Sequence, residues 1–317
     1  MALARTVRMP TEEDLHRARG VVRDHLTPTP LVPSDPVGAL LKLECAQPTG
    51  SFKVRGALAA LSALDGAARA AGVVAASTGN HGLGVGFAAA RLGIAATVVV
   101  PETASPAKLD KLRRSGVRLI QHGDGGAAAE AHALDLAADG LTYVSPYNDP
   151  EVIAGQSTIG GELRERIEGP FTLVTPVGGG GLAAGLALWA ATQADVRVVG
   201  VEAEASRPVA AAVAAGRTVT VPVAPTLADA LAGNLEPDSI TPAILAAHEV
   251  ELRSVTEPEI RAAMRLLASE HGLVVEGGAA VAVAALLAGK VSVTGPVVAL
   301  VTGRNVALPV YAEAVTA

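Results

Sequence analysis

Short apolar runs alternate with longer, alanine-rich segments along most of the 317-residue chain. Clear examples of the short runs lie at 72–77, 95–101, 172–176 and 297–302. Their length is that of buried β-strands, whereas the segments between them are long enough for helices. This alternation is typical of doubly wound α/β proteins, in which helices cover both faces of a mostly parallel sheet.

The alternation falls into two blocks, and a chain of this length has room for two domains. A small βα domain is expected over 45–145, and a larger domain is expected to combine 1–44 with 146–317. Near the N-terminus the pattern predicts a helix over Thr11–His25. Thr11 as N-cap and Asp14 as its partner have the spacing of a capping box.

The composition indicates a closely packed interior and a small-molecule partner. Half of the residues are apolar but only 2% are aromatic, so small aliphatic side chains must fill the core. The formal net charge of −6, without a basic run, argues against a nucleic-acid-binding surface. Cys45 is the only cysteine, which excludes an intrachain disulfide and favours a reducing compartment.

The sequence also predicts a cytoplasmic protein that does not enter a membrane. The first ten residues contain Arg5 and Arg8 but lack the apolar core of a signal peptide. The two most apolar windows, 177–191 and 273–288, are interrupted by glycine and are too short to cross a bilayer as helices.

A run of four glycines is the first candidate for chemistry. Gly178–Gly181 follows the predicted strand 172–176 and precedes a predicted helix. Residues without side chains allow backbone N–H groups to converge on an oxyanion, and the helix dipole adds to the binding. The run therefore predicts a phosphate site. Its spacing also fits a relaxed dinucleotide-binding pattern with Glu202 as the ribose-binding acid, so a nicotinamide cofactor is an alternative ligand.

Lys53 favours a different cofactor. It is predicted to lie in the first turn of a helix over 53–64, shortly after Gly50. The positive end of the helix dipole and the nearby Arg55 both disfavour a protonated amine. A neutral lysine amine is the nucleophile that forms a Schiff base with an aldehyde, so Lys53 is the candidate attachment point for such a cofactor.

A second polar turn also connects a predicted strand to a predicted helix. It provides hydroxyl groups from Ser77 and Thr78, an amide from Asn80 and several backbone donors. Such groups at a helix start suit a carboxylate and a phenolic oxygen. By itself, this turn is equally consistent with a capped helix start at which His81 has no ligand.

Together these motifs resemble the fold-type II enzymes that use pyridoxal 5′-phosphate (PLP), and within them the serine/threonine dehydratase and serine racemase family. The motifs are, in chain order, Ser51-Phe52-Lys53-Val54-Arg55-Gly56-Ala57, Ser77-Thr78-Gly79-Asn80-His81 and Gly178-Gly179-Gly180-Gly181-Leu182. The resemblance covers nearly the whole chain, since shorter motifs from Thr29-Pro30-Leu31 to Thr302-Gly303-Arg304-Asn305 follow in the expected order. It implies a tryptophan synthase β-like fold of two doubly wound α/β domains, an active site between them and a homodimer.

The resemblance assigns the cofactor contacts. It implies that Lys53 forms the Schiff base with PLP and later acts as the base at the substrate Cα. Phe52 would pack against the cofactor ring, and Asn80 would hydrogen-bond its phenolic oxygen. The backbone of Gly178–Leu182 would bind the phosphate. Thr302 would hydrogen-bond the ring nitrogen without protonating it, and the weaker electron sink that results favours loss of a β-leaving group over transamination.

The resemblance also assigns the substrate contacts and exposes departures from the family pattern. Ser77, Thr78 and His81 would hold the substrate carboxylate together with Asn80. Racemases of this family have a serine at the position that matches Thr78, and it acts on the face of Cα opposite the lysine. Thr78 is the candidate for that catalytic role. Arg304 and Ala230 each replace a glycine of the family pattern, and both changes are expected to reshape the substrate pocket.

A cation site is the other feature that the resemblance raises. Glu202 matches its first carboxylate, but Pro208 stands where divalent-binding members have an aspartate. A monovalent site built from backbone oxygens, a divalent site and no site at all are the alternatives. Glu276 resembles another family motif, and a capped turn beside the core is its other interpretation.

The resulting functional hypothesis is α,β-elimination from a small β-hydroxy amino acid, with L-threonine and L-serine as the default substrates. The products would be a 2-oxo acid and ammonia. The alternatives are a serine racemase, a β-replacement enzyme, a 3-hydroxyaspartate dehydratase and, from another class, a nicotinamide-dependent oxidoreductase that uses the glycine run.

Overall fold

The structure is a computed structural model that describes residues 7–316. Arg5 and the two ends of the predicted larger domain, 1–6 and 317, lie outside the described residues. The strands are, in chain order, β1 (Leu31–Ser34), β2 (Ala39–Lys42), β3 (Val73–Ala76), β4 (Ala96–Val100), β5 (Arg118–Gln121), β6 (Thr142–Tyr143), β7 (Phe171–Pro176), β8 (Val196–Ala203), β9 (Glu251–Val255) and β10 (Val297–Leu300).

The α-helices fall between these strands for most of the chain. They are α1 (Glu12–His25), α2 (Lys53–Ser62), α3 (Gly66–Ala71), α4 (Asn80–Leu92), α5 (Pro106–Arg114), α6 (Gly126–Ala138), α7 (Pro150–Arg164), α8 (Gly181–Ala191), α9 (Pro208–Ala215), α10 (Thr241–Ala247), α11 (Glu257–His271), α12 (Gly277–Leu287) and α13 (Leu308–Thr316). The predicted α/β class is confirmed.

The chain divides into two compact units. Unit 1 comprises 7–25 and Lys53–Gly155, and unit 2 comprises Leu26–Phe52 and 156–316. Unit 1 holds a four-stranded sheet in the order β5-β4-β3-β6, in which all pairs are parallel. Unit 2 holds a six-stranded sheet in the order β1-β2-β10-β7-β8-β9, in which only β1 and β2 pair antiparallel.

Helices cover both faces of the sheet in unit 1. Val99 of β4 packs with Val74 and α6, whereas its neighbours Val98 and Val100 pack with Leu112 of α5. Successive side chains of a strand point to opposite faces, so a strand buried on both faces is apolar at most positions. This is why 95–101 is apolar at every position except Thr97, without the alternation of a strand that has one exposed face.

The same arrangement builds the core of unit 2. Leu173 and Val298 face α7 and α8, whereas Val174 and Ala299 face α11 and α12. Every residue of β7 and β10 is buried. Helix α12 is buried at nine positions, most of them alanine or valine, as expected for a core that contains few aromatic side chains.

The units differ from the predicted domains in the assignment of α1, which corrects the sequence prediction. Ala18 of α1 packs against Ala59 and Ala154 in unit 1. Arg17 also forms an ion pair with Glu151 at 2.7 Å. Helix α1 therefore belongs with the smaller sheet, although the sequence prediction assigned 1–44 to the larger domain.

The boundaries near 45 and 145 also shift, and backbone hydrogen bonds give the reason. The N–H of Cys45 donates to the Val301 carbonyl at 2.9 Å, and the N–H of Phe52 donates to the Thr302 carbonyl at 3.1 Å. Residues 45–52 are thereby joined to the residues that directly follow β10 in unit 2. The residues up to Gly155 stay with unit 1, because α7 begins against α2.

The predicted cap of the first helix is confirmed. The N–H of Thr11 donates to the Asp14 carboxylate at 2.8 Å, and the N–H of Asp14 donates to Thr11 Oγ1 at 3.3 Å. A second capping box joins Thr256 and Glu259 at the start of α11. Among the described residues, no helix has the length and apolar character needed to cross a membrane.

Candidate active site

Lys53 is the first residue of α2, and its amine already has a defined partner. Lys53 Nζ donates a hydrogen bond to the carbonyl oxygen of Pro146 at 2.7 Å. Both residues are partly exposed, whereas the neighbouring Val144 and Ser145 are buried. The lysine therefore lies where a small molecule can reach it, and the carbonyl that accepts its hydrogen bond directly follows two buried residues.

Small residues bring other helices close to the start of α2. A Cβ added at Gly84 of α4 would lie 3.1 Å from the carbonyl oxygen of Lys53. A Cβ added at Gly155 of α7 would lie 2.5 Å from the Cα of Gly56 and 2.6 Å from the carbonyl oxygen of Arg55. These glycines are required for close approach, and they fix the backbone that carries Lys53.

The polar turn predicted at 77–81 leads from β3 into α4, beside the start of α2. Ser77, Thr78 and Asn80 are partly exposed, as residues that meet a ligand must be. The N–H of Gly79 donates to Ser77 Oγ at 3.2 Å. The first N–H groups of α4 point toward the same turn, since they have no acceptor within the helix.

His81 differs from its neighbours because its ring is buried, with 3% of the residue exposed. Its Nε2 lies 2.8 Å from the carbonyl oxygen of Val144, a hydrogen bond that requires the proton on Nε2. Burial lowers the pKa of His81 to about 3, and the positive charge of Lys53 acts in the same direction. The imidazole is therefore neutral at physiological pH.

The glycine run in unit 2 forms the predicted turn between β7 and α8. Gly180 is the N-cap of α8 and has a φ of 87°, a left-handed conformation that favours glycine. A Cβ added at Gly178 would lie 3.0 Å from the Cα of Leu231, so Leu231 leaves little room for a side chain here. Gly178 and Gly179 are partly exposed.

Thr241 anchors this run and was not identified from the sequence. Its Oγ1 donates to the carbonyl oxygen of Gly179 at 2.7 Å and lies 3.0 Å from Ser239 Oγ. Thr241 is completely buried. It is about sixty residues from the glycines in sequence, and no motif connects a threonine at this distance to a glycine turn.

Replacing Thr241 by valine is expected to weaken PLP binding about tenfold, because a buried hydrogen bond that orders the loop is worth about 1–2 kcal/mol. Valine keeps the shape of the side chain and removes only the donor. Thr241→Ser keeps the hydroxyl and should bind PLP like the unchanged protein. Titration of the cofactor-free protein with PLP measures both dissociation constants. Equal values for the valine and serine variants would refute the role of this hydrogen bond.

Phe52 and Thr302 lie next to each other in unit 2. Thr302 follows β10 and is buried, and its carbonyl oxygen accepts the hydrogen bond from the N–H of Phe52. The ring of Phe52 packs against the apolar cluster that contains Leu300. The backbone thus links the two residues that the family resemblance assigns to the cofactor ring.

The departures from the family pattern have distinct surroundings. Arg304 is exposed, and its Nη1 donates to the carbonyl oxygen of Cys45 at 2.5 Å. A Cβ added at Gly278 would lie 3.7 Å from the Cβ of Ala230. Glu276 directly precedes α12, and its carboxylate accepts a hydrogen bond from the N–H of Asn305 at 3.2 Å. Glu276 is thus the N-cap residue of α12 by position, but its carboxylate bonds to the backbone of Asn305 and not to the helix.

Glu202 is engaged by the helix that follows it. Its two carboxylate oxygens accept hydrogen bonds from the N–H of Val209 at 2.9 Å and of Ala210 at 3.1 Å, in the first turn of α9. Burial raises the pKa of Glu202 to about 7. Within residues 7–316, no group of three or more histidine, cysteine, aspartate or glutamate side chains is arranged to hold a metal ion.

An accessible lysine amine beside a polar turn, and a glycine run at a helix start, are features of α/β enzymes that use a phosphorylated cofactor. A family model described as "Pyridoxal-phosphate dependent enzyme" matches residues 22–303. The chain belongs to this family. The match decides between the two ligands that the glycine run left open, in favour of PLP.

Individual relatives narrow the comparison. The chain is 38% identical over 307 residues to an L-threonine ammonia-lyase from Thermotoga maritima, covering 94% of this chain and 76% of that protein. It is 36% identical over 309 residues to a β-hydroxyaspartate dehydratase from Paracoccus denitrificans, covering 95% and 98%. The structure of maize serine racemase is similar with a TM-score of 0.89 and 28% identity, covering 96% and 97%. Fold type II is thereby confirmed.

Proposed function

We propose that this chain uses PLP to eliminate water from L-threonine and L-serine, which gives a 2-oxo acid and ammonia. The observation that carries the proposal is the accessible Lys53 amine, hydrogen-bonded to Pro146, next to a partly exposed turn of hydroxyl and amide groups. Similarity to the L-threonine ammonia-lyase of T. maritima supports the same reaction.

The residues present fit the cofactor. A phosphate needs backbone N–H groups and no side chain in the way, and the four glycines that lead into the start of α8 support such a site from Gly178 to Leu182. Lys53 would hold the cofactor aldehyde, and Asn80 its phenolic oxygen. Phe52 would contact the ring and Thr302 its nitrogen. When bound, PLP supplies an electron sink for the electron pair left at Cα.

The side chains of the polar turn would bind and orient the substrate. Ser77, Thr78 and the N–H groups at the start of α4 would receive its carboxylate, where the helix dipole favours a negative charge. Lys53 Nζ would take the proton from Cα. The same amine, now protonated, would return the proton to the β-hydroxyl, which leaves as water. The released enamine tautomerises and hydrolyses to the 2-oxo acid and ammonia.

Two other activities share these residues and are supported by named relatives. The P. denitrificans enzyme suggests 3-hydroxyaspartate as a substrate. This substrate has a second carboxylate, on its side chain, which would need a positively charged group nearby. The maize structure suggests racemisation, in which Thr78 would have to act on the second face of Cα. A β-branched hydroxyl in place of serine weakens this alternative.

A substrate panel separates these activities. The protein loaded with PLP is incubated with L-threonine, L-serine, 3-hydroxyaspartate and D-serine, and both the 2-oxo acid and the chirality of the remaining amino acid are measured. We expect 2-oxo acid from L-threonine and L-serine without appearance of the D-enantiomer. Turnover of 3-hydroxyaspartate alone, or racemisation without 2-oxo acid, would replace the proposal by one of the two alternatives.

The family resemblance also supports a homodimer, which light scattering of the purified protein tests. An activating cation and a cytoplasmic location remain predictions of the sequence. Activity measured in sodium, potassium and magnesium salts, after treatment with a chelator, tests the cation.

A further inference from the structure

The ring of His81 connects α4 to the segment that follows β6. Its Nε2 lies 2.8 Å from the carbonyl oxygen of Val144, and both residues are buried. The other ring nitrogen, Nδ1, is buried as well and has no hydrogen-bond partner among the described residues. The ring is therefore held against Val144 through Nε2, and the substrate contact that the family resemblance implies for His81 stays a prediction.

The segment from Val144 to Asn148 is a turn held at several points. The N–H of Val144 donates to the Val74 carbonyl of β3 at 2.9 Å. Ser145 Oγ accepts hydrogen bonds from the N–H of Asn148 at 2.9 Å and of Tyr147 at 3.4 Å. With the His81 bond on the Val144 carbonyl, these contacts hold the backbone before and after Pro146.

The Pro146 carbonyl of this turn accepts the hydrogen bond from Lys53 Nζ at 2.7 Å. We propose that His81 is a positioning residue: through the Val144–Asn148 turn it holds the Pro146 carbonyl where it receives the Lys53 amine once that amine is free of the cofactor. The inference rests on the proposed function, in which the free amine moves the Cα proton.

A fixed acceptor matters because a lysine side chain is long and flexible. An amine that moves over several ångströms is seldom in position to remove a proton. An amine held near its target reacts as though its concentration were greatly increased. Pro146 is suited to this task, since its ring fixes φ and its carbonyl remains free to accept. A neutral His81 suits this arrangement. With its single ring proton on Nε2 it donates to the Val144 carbonyl, and the ring carries no positive charge that would need a negative partner in the buried site.

The test compares His81→Leu with His81→Gln in the protein loaded with PLP. Glutamine places an N–H donor at about the reach of Nε2, whereas leucine provides none. We expect His81→Leu to lower kcat at least about tenfold with KM for L-threonine within about threefold of its original value. The kinetic isotope effect with α-deuterated L-threonine should rise, because proton removal becomes slower. His81→Gln should restore most of kcat and the original isotope effect.

Ser145→Ala provides a second route to the same turn without touching the histidine, and it should give the same signature with a smaller loss. If His81 instead binds the substrate, KM will rise strongly in His81→Leu while kcat and the isotope effect stay unchanged, which would overturn the inference. If the proposed function itself is wrong, the result is different, because even the protein without a substitution would then produce no 2-oxo acid.

Discussion

Replacing Lys53 by alanine is expected to abolish both the visible absorbance of bound PLP and the formation of 2-oxo acid. The absorbance band at about 410 nm belongs to PLP joined to a lysine, and it should be missing in the variant even after incubation with excess cofactor. Activity should fall at least about 10³-fold, because the same amine is the attachment point and the base. Absorption spectra and 2-oxo acid assays measure the two effects.

Lys111→Ala is the matched control. Lys111 is an exposed lysine in the last turn of α5, also in unit 1, and its replacement should leave the spectrum and the activity unchanged. Lys53→Ala should still fold, since a partly exposed side chain at the start of a helix contributes little to the core. A variant that retains the absorbance band would show that another amine holds the cofactor.

The second large effect is expected from a single methyl group. Gly155→Ala would place a Cβ 2.5 Å from the Cα of Gly56 and 2.6 Å from the carbonyl oxygen of Arg55. Backbone atoms cannot rotate away as a side chain can, so α7 must move from α2 at a cost of about 3 kcal/mol of unfolding free energy. Because Lys53 lies in the same turn as Arg55, kcat should fall as well. Denaturant unfolding and steady-state kinetics test both parts.

Gly20→Ala separates this packing effect from the general effect of replacing glycine in a helix. Gly20 lies in α1, in the same unit, and a Cβ there would have no atom within 4 Å. This variant should gain up to about 1 kcal/mol of stability from helix propensity, with unchanged kcat. If both variants behave alike, the close approach of α7 to α2 does not constrain Lys53.

Much of the fold can be predicted because strands buried on both faces and helices between them leave different patterns. The mainly apolar runs at β4, β7 and β10 and the capping box of α1 are local features, so sequence alone identifies them. The edge strand β1 was not predicted, because it is short, contains Pro33 and pairs antiparallel. The place of α1 depends on contacts with residues more than forty positions away, which no local pattern contains.

The candidate site divides in the same way. Motifs reveal Lys53 and Asn80, because the side chains themselves provide the expected contacts. Motifs also reveal the glycine run, because its function depends on the absence of side chains. Thr241 and Pro146 act through a buried hydroxyl and a backbone carbonyl, and nothing in their residue type indicates this. His81 was found for its residue type, but its burial, and with it the hydrogen bond to Val144, could be known only from the structure.

The most direct test of the central claim is the absorption spectrum of the purified protein before and after addition of L-threonine, with the 2-oxo acid measured in the same sample. The account predicts a band at about 410 nm that changes when the substrate is added, together with steady release of the 2-oxo acid. A protein that shows no such band after incubation with PLP, and releases no 2-oxo acid, would contradict it.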